Sequence, residues 1–283
     1  MAEFLKNIIK KGLDSIGYKL SSVEFNKRHE IERAHLLNAT LKRLIFSLSC
    51  SNPGKDKDEV FKFFDYSTPN LSRSQSQIFQ DLFVLYLLKD KKNGFFIEFG
   101  ATDGISLSNT LLLETEYNWK GILAEPGKIW EAGLRQNRNC IIDTRCVWSS
   151  SGQTLLFDET DTAELSTLNV YADGDFFSEQ RKLCKSYNVE TLSLNDLLSY
   201  YNAPLTIDYL SIDTEGSEFE ILNAFDFSKY NISIITVEHN FSSKRNDIFN
   251  LLALNGYTRV FESISMFDDW YVKEPLAAGI LSN

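Results

Sequence analysis

Near the start of the chain, apolar residues recur at three- and four-residue steps: Leu5, Ile8, Ile9, Leu13 and Ile16, with Lys6, Lys10 and Lys11 between them. This spacing predicts an amphipathic helix over residues 2–18. A second helical pattern runs through Ile31, Ala34, Leu37, Leu41, Leu44, Ile45 and Leu48, and a third through Ile78, Phe79, Leu82, Phe83 and Tyr86. Between them, Ser51-Asn52-Pro53-Gly54 and the mixed charges that follow read as a loop holding the linker to the main domain.

From Gly94 the texture changes to short β-rich runs. The predicted strands are Gly94–Gly100, Gly121–Glu125, Cys140–Asp143, Thr154–Phe157, Tyr209–Asp213, Ile232–Glu238, Thr258–Phe261 and Trp270–Val272. Amphipathic stretches lie between most of them: Lys128–Leu134, Leu194–Tyr200, Glu218–Ala224 and Arg245–Leu254. Such alternation requires crossover connections, hence an α/β fold with a mostly parallel central sheet and helices on both faces. The expected organisation is an N-terminal helical extension over residues 1–73 and a Rossmann-like domain over 74–283.

Composition narrows the class. Of 283 residues 43% are apolar, enough for a large core, and the net charge of −10 argues against nucleic acid as a partner. Residues 1–75 carry 13 Lys/Arg against 9 Asp/Glu, and the remainder 16 against 30. The mildly basic front helix is read first as docked on its own domain, with peripheral membrane contact through residues 2–18 as the alternative. Cys50, Cys140, Cys146 and Cys184 show no paired spacing, no signal-peptide pattern opens the chain, and no apolar run approaches the roughly 18 residues that span a bilayer. Reduced thiols and a cytoplasmic location, soluble or peripheral at the inner membrane face, are expected.

The chemistry concentrates at predicted strand ends. In Glu98-Phe99-Gly100-Ala101-Thr102-Asp103-Gly104 an apolar strand runs into two glycines with acidic residues around them. A nicotinamide turn would read GxGxxG to receive a diphosphate, and that pattern is missing. Carboxylates here suit a cofactor with an amino group and a sulfonium, which favours S-adenosylmethionine. Gly100, Ala101 and Gly104 would admit its backbone, with Glu98 or Asp103 at its amino end and Glu125, at the end of the next strand, on its ribose. Asp213, which would also belong to the cofactor site by lining the methyl-transfer centre, and Glu215 end a third run, and Glu238-His239-Asn240 a fourth. His239 is the first choice as base toward an acceptor hydroxyl, with Asp213 and Glu215 next. A metal-free site is favoured; the competing arrangement draws a divalent metal onto Asp213, Glu238 and His239, with Glu215 as a further donor. The acidic stretch from Asp158 to Glu179, with Tyr171, Phe176 and Phe177, reads as a solvated loop, with an acceptor-binding element as the alternative.

These pieces, in this order, resemble the FkbM family of methyltransferases. The resemblance rests on Ser76-Gln77 and Gln80-Asp81, on Phe96–Gly104 with Leu107-Ser108-Asn109-Thr110, on Trp119-Lys120-Gly121 leading to Glu125-Pro126, and on Ile212–Glu218 with Glu238-His239-Asn240. It implies a class I methyltransferase fold, S-adenosylmethionine as donor with Ser108 and Pro126 added to its site, and O-methylation of a hydroxyl on a sugar or another secondary metabolite. Two departures stand out: Thr102 where Asn is frequent and Glu98 where Asp is frequent. The Lys-rich front stretch is similar to leaders of bacterial surface-glycan enzymes and points to a polysaccharide precursor. A nicotinamide-dependent sugar oxidoreductase or epimerase and a non-catalytic binding module stand as alternatives.

Overall fold

The computed structural model describes residues 57–160, 166–171 and 184–281. The helices expected over residues 2–18 and 31–48, and with them the membrane-contact reading, lie outside the described residues.

The mixed-charge segment read as linker is helical from its third charge onward: α1 spans Lys57–Ser67, opened by Asp58 and Glu59 in its first turn, where carboxylates favour a helix N-terminus. It is followed by α2 (Gln80–Leu87), β1 (Phe95–Phe99), α3 (Leu111–Tyr117), β2 (Lys120–Ala124), α4 (Lys128–Asn137) and β3 (Ile141–Asp143). Next come β4 (Cys146–Trp148), β5 (Thr154–Thr160), β6 (Thr167–Leu168) and β7 (Cys184–Ser193). The chain then runs through α5 (Leu194–Tyr200), β8 (Thr206–Ile212), α6 (Glu218–Asn223), β9 (Asn231–Glu238), α7 (Arg245–Leu254), β10 (Tyr257–Val260), β11 (Asp268–Lys273) and α8 (Leu276–Leu281).

Seven strands form the central sheet in the order β10-β11-β9-β8-β1-β2-β3. The pairs from β9 through β8, β1 and β2 to β3 are parallel, and β11 is antiparallel to both its neighbours. Because the strands are covered on both sides, their runs are almost continuously apolar. On one face Ile97, Phe99, Ile122, Leu210, Ile212, Ile235 and Val237 share a core with Leu194, Leu197 and Leu198 of α5, Ile221 and Leu222 of α6, and Ile248 and Leu252 of α7. On the other, Phe63 of α1 packs edge-on and Phe83 of α2 tilted against Trp270 of β11, with ring centroids 6.2 and 4.4 Å away. The expected α/β architecture with helices on both faces is present.

A second, four-stranded sheet in the order β4-β7-β5-β6 went unread in the sequence. It has its own small core of Cys146, Phe157, Leu168 and Val189. Part of the acidic stretch read as a solvated loop belongs to it: Asp158–Thr160 extend β5 and pair with β7 and β6. Asp158 is buried because it accepts from Asn169 Nδ2 at 2.7 Å and Ser186 Oγ at 2.6 Å. Phe176 and Phe177 lie outside the described residues.

Candidate functional site

The site forms where the parallel strands β1, β2, β8 and β9 end. After β1, Gly100 takes φ +76°, and a Cβ there would lie 2.0 Å from the Asp213 carbonyl oxygen. Only glycine lets the β1 turn approach the end of β8 so closely. Glu98, buried beneath, accepts from Asn109 N at 2.6 Å, Thr110 Oγ1 at 2.5 Å and Ser108 Oγ at 3.1 Å, with the Arg138 guanidinium 3.7 Å away. Asp103 folds its carboxylate back onto the amides of Ile105 and Ser106 at 2.9 and 2.7 Å. Gly104, at φ +79°, packs against Arg138, and Ser108 Oγ takes the amides of Thr110 and Leu111. Glu98, Gly100 and Thr102 line a cavity; Ala101, Asp103, Gly104 and Ser108 build the turn behind it.

Glu125, one residue beyond β2, lines the same cavity. Its Oε2 accepts from Thr102 N at 3.0 Å and its Oε1 from Gly127 N at 2.7 Å. One lone pair on each oxygen is left for a further donor. Burial pushes its carboxyl up to about 7. Pro126 and Trp130 continue the wall.

After β8, Glu218 reaches back to accept from Thr214 N, Thr214 Oγ1 and Gly216 N at 2.9–3.0 Å, shaping a loop in which Glu215 holds φ +58°. A Cβ on Gly216 would meet the Tyr171 side chain at 2.9 Å, so the second sheet rests on this loop. The register pairs Ile212 with Val237, which sets Asp213 beside Glu238, and the two side chains are hydrogen-bonded. Asp213, Glu215 and Glu238 each offer a carboxylate oxygen within 4.8 Å of the others, an arrangement able to hold a divalent cation. Burial raises Asp213 to about 6 and, with the neighbouring Asp213 and Glu215 charges, lifts Glu238 well above the usual carboxylate range.

His239 is not part of this group. Its ring points to the opposite face of the sheet, where Nδ1 accepts from Phe241 N at 2.9 Å and Nε2 lies 3.7 Å from Asp269. Burial lowers it to about 4. The structure therefore brings Asp213, Glu215 and Glu238 together and leaves His239 outside the cavity. Sequence reasoning assigns Glu238 only to a metal and reaches Asn109 only through the family resemblance. Yet Ser211-x-Asp213 and Thr236-x-Glu238 carry their polar residues at the same alternate positions, and strand alternation puts those four on one side, away from His239.

The space over these strand ends, open solvent at its mouth included, is about 1180 Å³. The second sheet contributes Val147, Phe157 and Leu168 to its wall. Glu98, Glu125, Asp213, Glu215 and Glu238 line it, and among the described residues no Lys, Arg or His does.

A family model described as the methyltransferase FkbM domain matches residues 98–270. Among solved structures, the chain is similar to methyltransferase FkbM from Methylobacillus flagellatus KT, at 11% identity and TM-score 0.42, over 83% of this chain and 59% of that one. It is also similar to precorrin-6y C5,15-methyltransferase from Geobacter metallireducens GS-15, at 13% identity and TM-score 0.36, over 64% and 72%. A third is the CurJ carbon methyltransferase, at 10% identity and TM-score 0.35, over 95% and 78%. The chain thus spans about three fifths of the Methylobacillus chain. No curated protein matches it.

Proposed function

Because the chain belongs to the FkbM methyltransferase family, we propose that it transfers a methyl group from S-adenosylmethionine to a hydroxyl of a sugar or glycan precursor. The observation that carries this reading is the lining itself: five carboxylates at strand ends with no basic side chain among the described residues. Such a wall fits a donor bearing an ammonium and a sulfonium, and is unsuited to a diphosphate.

Glu125 would take both ribose hydroxyls on its remaining lone pairs. Gly100 leaves room for close backbone approach, and Pro126 and Trp130 give apolar surface for the adenine. Ala101, Asp103, Gly104 and Ser108 act by shaping the turn. What the donor supplies is a methyl carbon already activated by its sulfonium, so the chain's task is alignment and proton removal. With His239 turned away, Asp213, which lines the cavity, would take the hydroxyl proton, and Glu215 borders the same space. A divalent cation on Asp213, Glu215 and Glu238 is the second arrangement that the geometry supports.

Among the described residues no helix is long and apolar enough to cross a membrane. A surface-polysaccharide precursor in the cytoplasm, at the inner membrane face, is the acceptor setting that accords with the Lys-rich front segment. Calorimetric titration tests the core of the reading. S-adenosylmethionine and S-adenosylhomocysteine should bind, NAD should not, and Glu125→Ala should weaken both adenosyl ligands by about tenfold or more, the loss of two hydrogen bonds to a charged group. NAD binding with silence toward S-adenosylhomocysteine would overturn it.

A further inference from the structure

Resting on that reading, one buried atom of the cavity wall bears on where the charged end of the donor goes. We infer that the side-chain oxygen of Asn109 receives the amino group of S-adenosylmethionine, and that neither Glu98 nor Asp103, the two carboxylates expected there from the sequence, does so.

Both carboxylates are already engaged inside the protein. Asp103 stands behind the cavity wall and accepts from Ile105 N at 2.9 Å, Ser106 N at 2.7 Å and Ser106 Oγ at 3.1 Å. Glu98 does line the cavity. Its Oε1 takes the Asn109 amide, and its Oε2 the hydroxyls of Ser108 and Thr110. The buried Arg138 guanidinium lies 3.7 Å from Oε2 and is itself held by the Gly104 carbonyl, Ser108 Oγ, Thr110 Oγ1 and the Glu114 carboxylate. Glu98 therefore has its countercharge, and a second cation brought to it would be repelled by that guanidinium.

Asn109 is placed otherwise. It lines the cavity just before α3 and is only 8% exposed. Glu98 and Ser211 face each other in the β1–β8 ladder, and Asn109 bridges them: its backbone N donates to Glu98 at 2.6 Å and its Nδ2 to Ser211 Oγ at 2.9 Å. Both nitrogens are thus fixed, yet Oδ1 has no hydrogen-bond partner among the described residues. A buried acceptor left unpaired is costly, and a ligand that brings an N–H or O–H removes the cost. Because an amide oxygen only accepts, it selects against anions, and an ammonium is the strongest donor it can meet.

Position decides between the amino group of the donor and a hydroxyl of the acceptor. Asn109 is anchored on β1 and β8, Glu125 follows β2 on the other side of β1, and the Gly100 turn lies between them. With the ribose at Glu125 and the amino group at Asn109, the two polar ends of the donor fall on either side of the glycine turn, in the order of its own bonds. The acids left for the acceptor, Asp213 and Glu238, stand farther along the sheet, at the ends of β8 and β9.

Calorimetric titration near neutral pH with two probes tests this: S-adenosylhomocysteine and its deamino analogue, in which hydrogen replaces the amino group. Wild type should bind S-adenosylhomocysteine at least about tenfold more tightly, the worth of one hydrogen bond to a charged group. Asn109→Leu should bring the two affinities together by weakening S-adenosylhomocysteine alone, with the analogue as internal control. Asn109→Asp, which keeps an acceptor in place, should retain the preference. A preference undiminished in Asn109→Leu, or a loss shared equally by both ligands, would overturn the inference. So would wild type binding the two alike, a result that needs no variant to fold. Silence of wild type toward both probes would instead sink the cofactor reading on which the inference rests.

Discussion

Two buried polar clusters lie at the ends of the same two strands, β9 and β11, on opposite faces of the sheet. On one face Asp269 accepts from Arg245 at 2.7 and 2.9 Å and from Arg259 at 3.1 Å, with His239 and Tyr271 beside it. On the other, Glu238 stands opposite Asp268 in the ladder and beside Asp213, and the nearest help is the neutral amide of Gln80, which donates to Asp268 at 2.9 Å. Adjacent residues, Glu238 and His239 or Asp268 and Asp269, are thus divided between a balanced cluster and an unbalanced one. A buried charge that has its partners is complete as it stands. One without them keeps a proton or waits for a ligand, and it is the unbalanced face that opens on the cavity.

The comparison is broken most severely by removing one acid from each side. Asp213→Asn should lower methyl transfer by about 10²–10⁴-fold, the range for losing a positioned base, while leaving thermal stability equal or higher, since a carboxylate costly to bury is gone. Asp269→Ala should do the reverse. It strands the Arg245 guanidinium and takes one of two carboxylate partners from Arg259, which keeps Glu262 at 2.7 Å; because Arg245 is also 30% exposed, the cost is set at about 2–4 kcal/mol rather than the full penalty of a broken buried pair. At roughly 2–4 °C per kcal/mol for a domain of this size, calorimetric melting should fall by about 5–15 °C. A stability loss in Asp213→Asn as large as that in Asp269→Ala would erase the distinction.

Stability against pH sharpens it further. Burial raises Asp81 to about 6, Glu125 to about 7 and Asp268 to about 8. For each, the folded state binds more protons than the unfolded chain between the unfolded value near 4 and the folded one, so stability falls as pH rises through that window. His239, lowered to about 4 by burial, works oppositely: between about pH 4 and 6.5 the unfolded chain holds the extra proton, and stability rises with pH. The three acids outweigh the one histidine, so stability should fall from about pH 4 onward and lose on the order of 3–4 kcal/mol between pH 6 and 8, where Glu125 and then Asp268 give up their extra protons, since each pH unit over which one extra proton stays bound to the folded state is worth about 1.4 kcal/mol. Asp268→Asn should flatten the decline in denaturant titrations. A curve that climbs from pH 6 to 8 would show that the acids on the cavity face are ionised at little cost.

Much of this was legible in the sequence, for a physical reason. Strands such as Phe95–Phe99 and Asn231–Glu238 are buried on both faces, so they stand out as apolar runs, and the glycine turn after the first is fixed by Gly100 alone. The same double burial hid the direction of each strand-end side chain. With Ile232, Ile234, Ile235 and Val237 all buried, hydrophobic alternation cannot say which face Glu238 or His239 takes, and only Thr236 marks the polar side. The second sheet escaped because β7, Cys184–Ser193, alternates Tyr187, Val189 and Thr191 with Ser186, Asn188 and Glu190 and has a core of only a few residues. Helix α1 escaped because Lys57-Asp58-Glu59 reads as a solvated linker until Phe63 is seen among aromatic rings.

The smallest effect is expected at Thr102, where the chain departs from its family's frequent Asn. Thr102 holds φ +47°, a left-handed conformation that a β-branched residue adopts only under strain and that Asn tolerates well. Its hydroxyl offsets part of that strain by donating to the Ser106 carbonyl at 3.1 Å, and its amide donates to Glu125. Thr102→Asn should keep the amide bond, replace the hydroxyl's bond through its own side-chain amide, and relieve the backbone, for a gain of about 0.5–1 kcal/mol. Since the Thr102 amide orients the carboxylate assigned to the ribose, that gain should come with unchanged or slightly tighter S-adenosylhomocysteine binding. Thr102→Val, which retains the branching and loses the hydroxyl, should lose stability. If Thr102→Val matches wild type in a denaturant melt, the Ser106 bond contributes nothing and the turn after β1 is held by Glu98 and Asp103 alone.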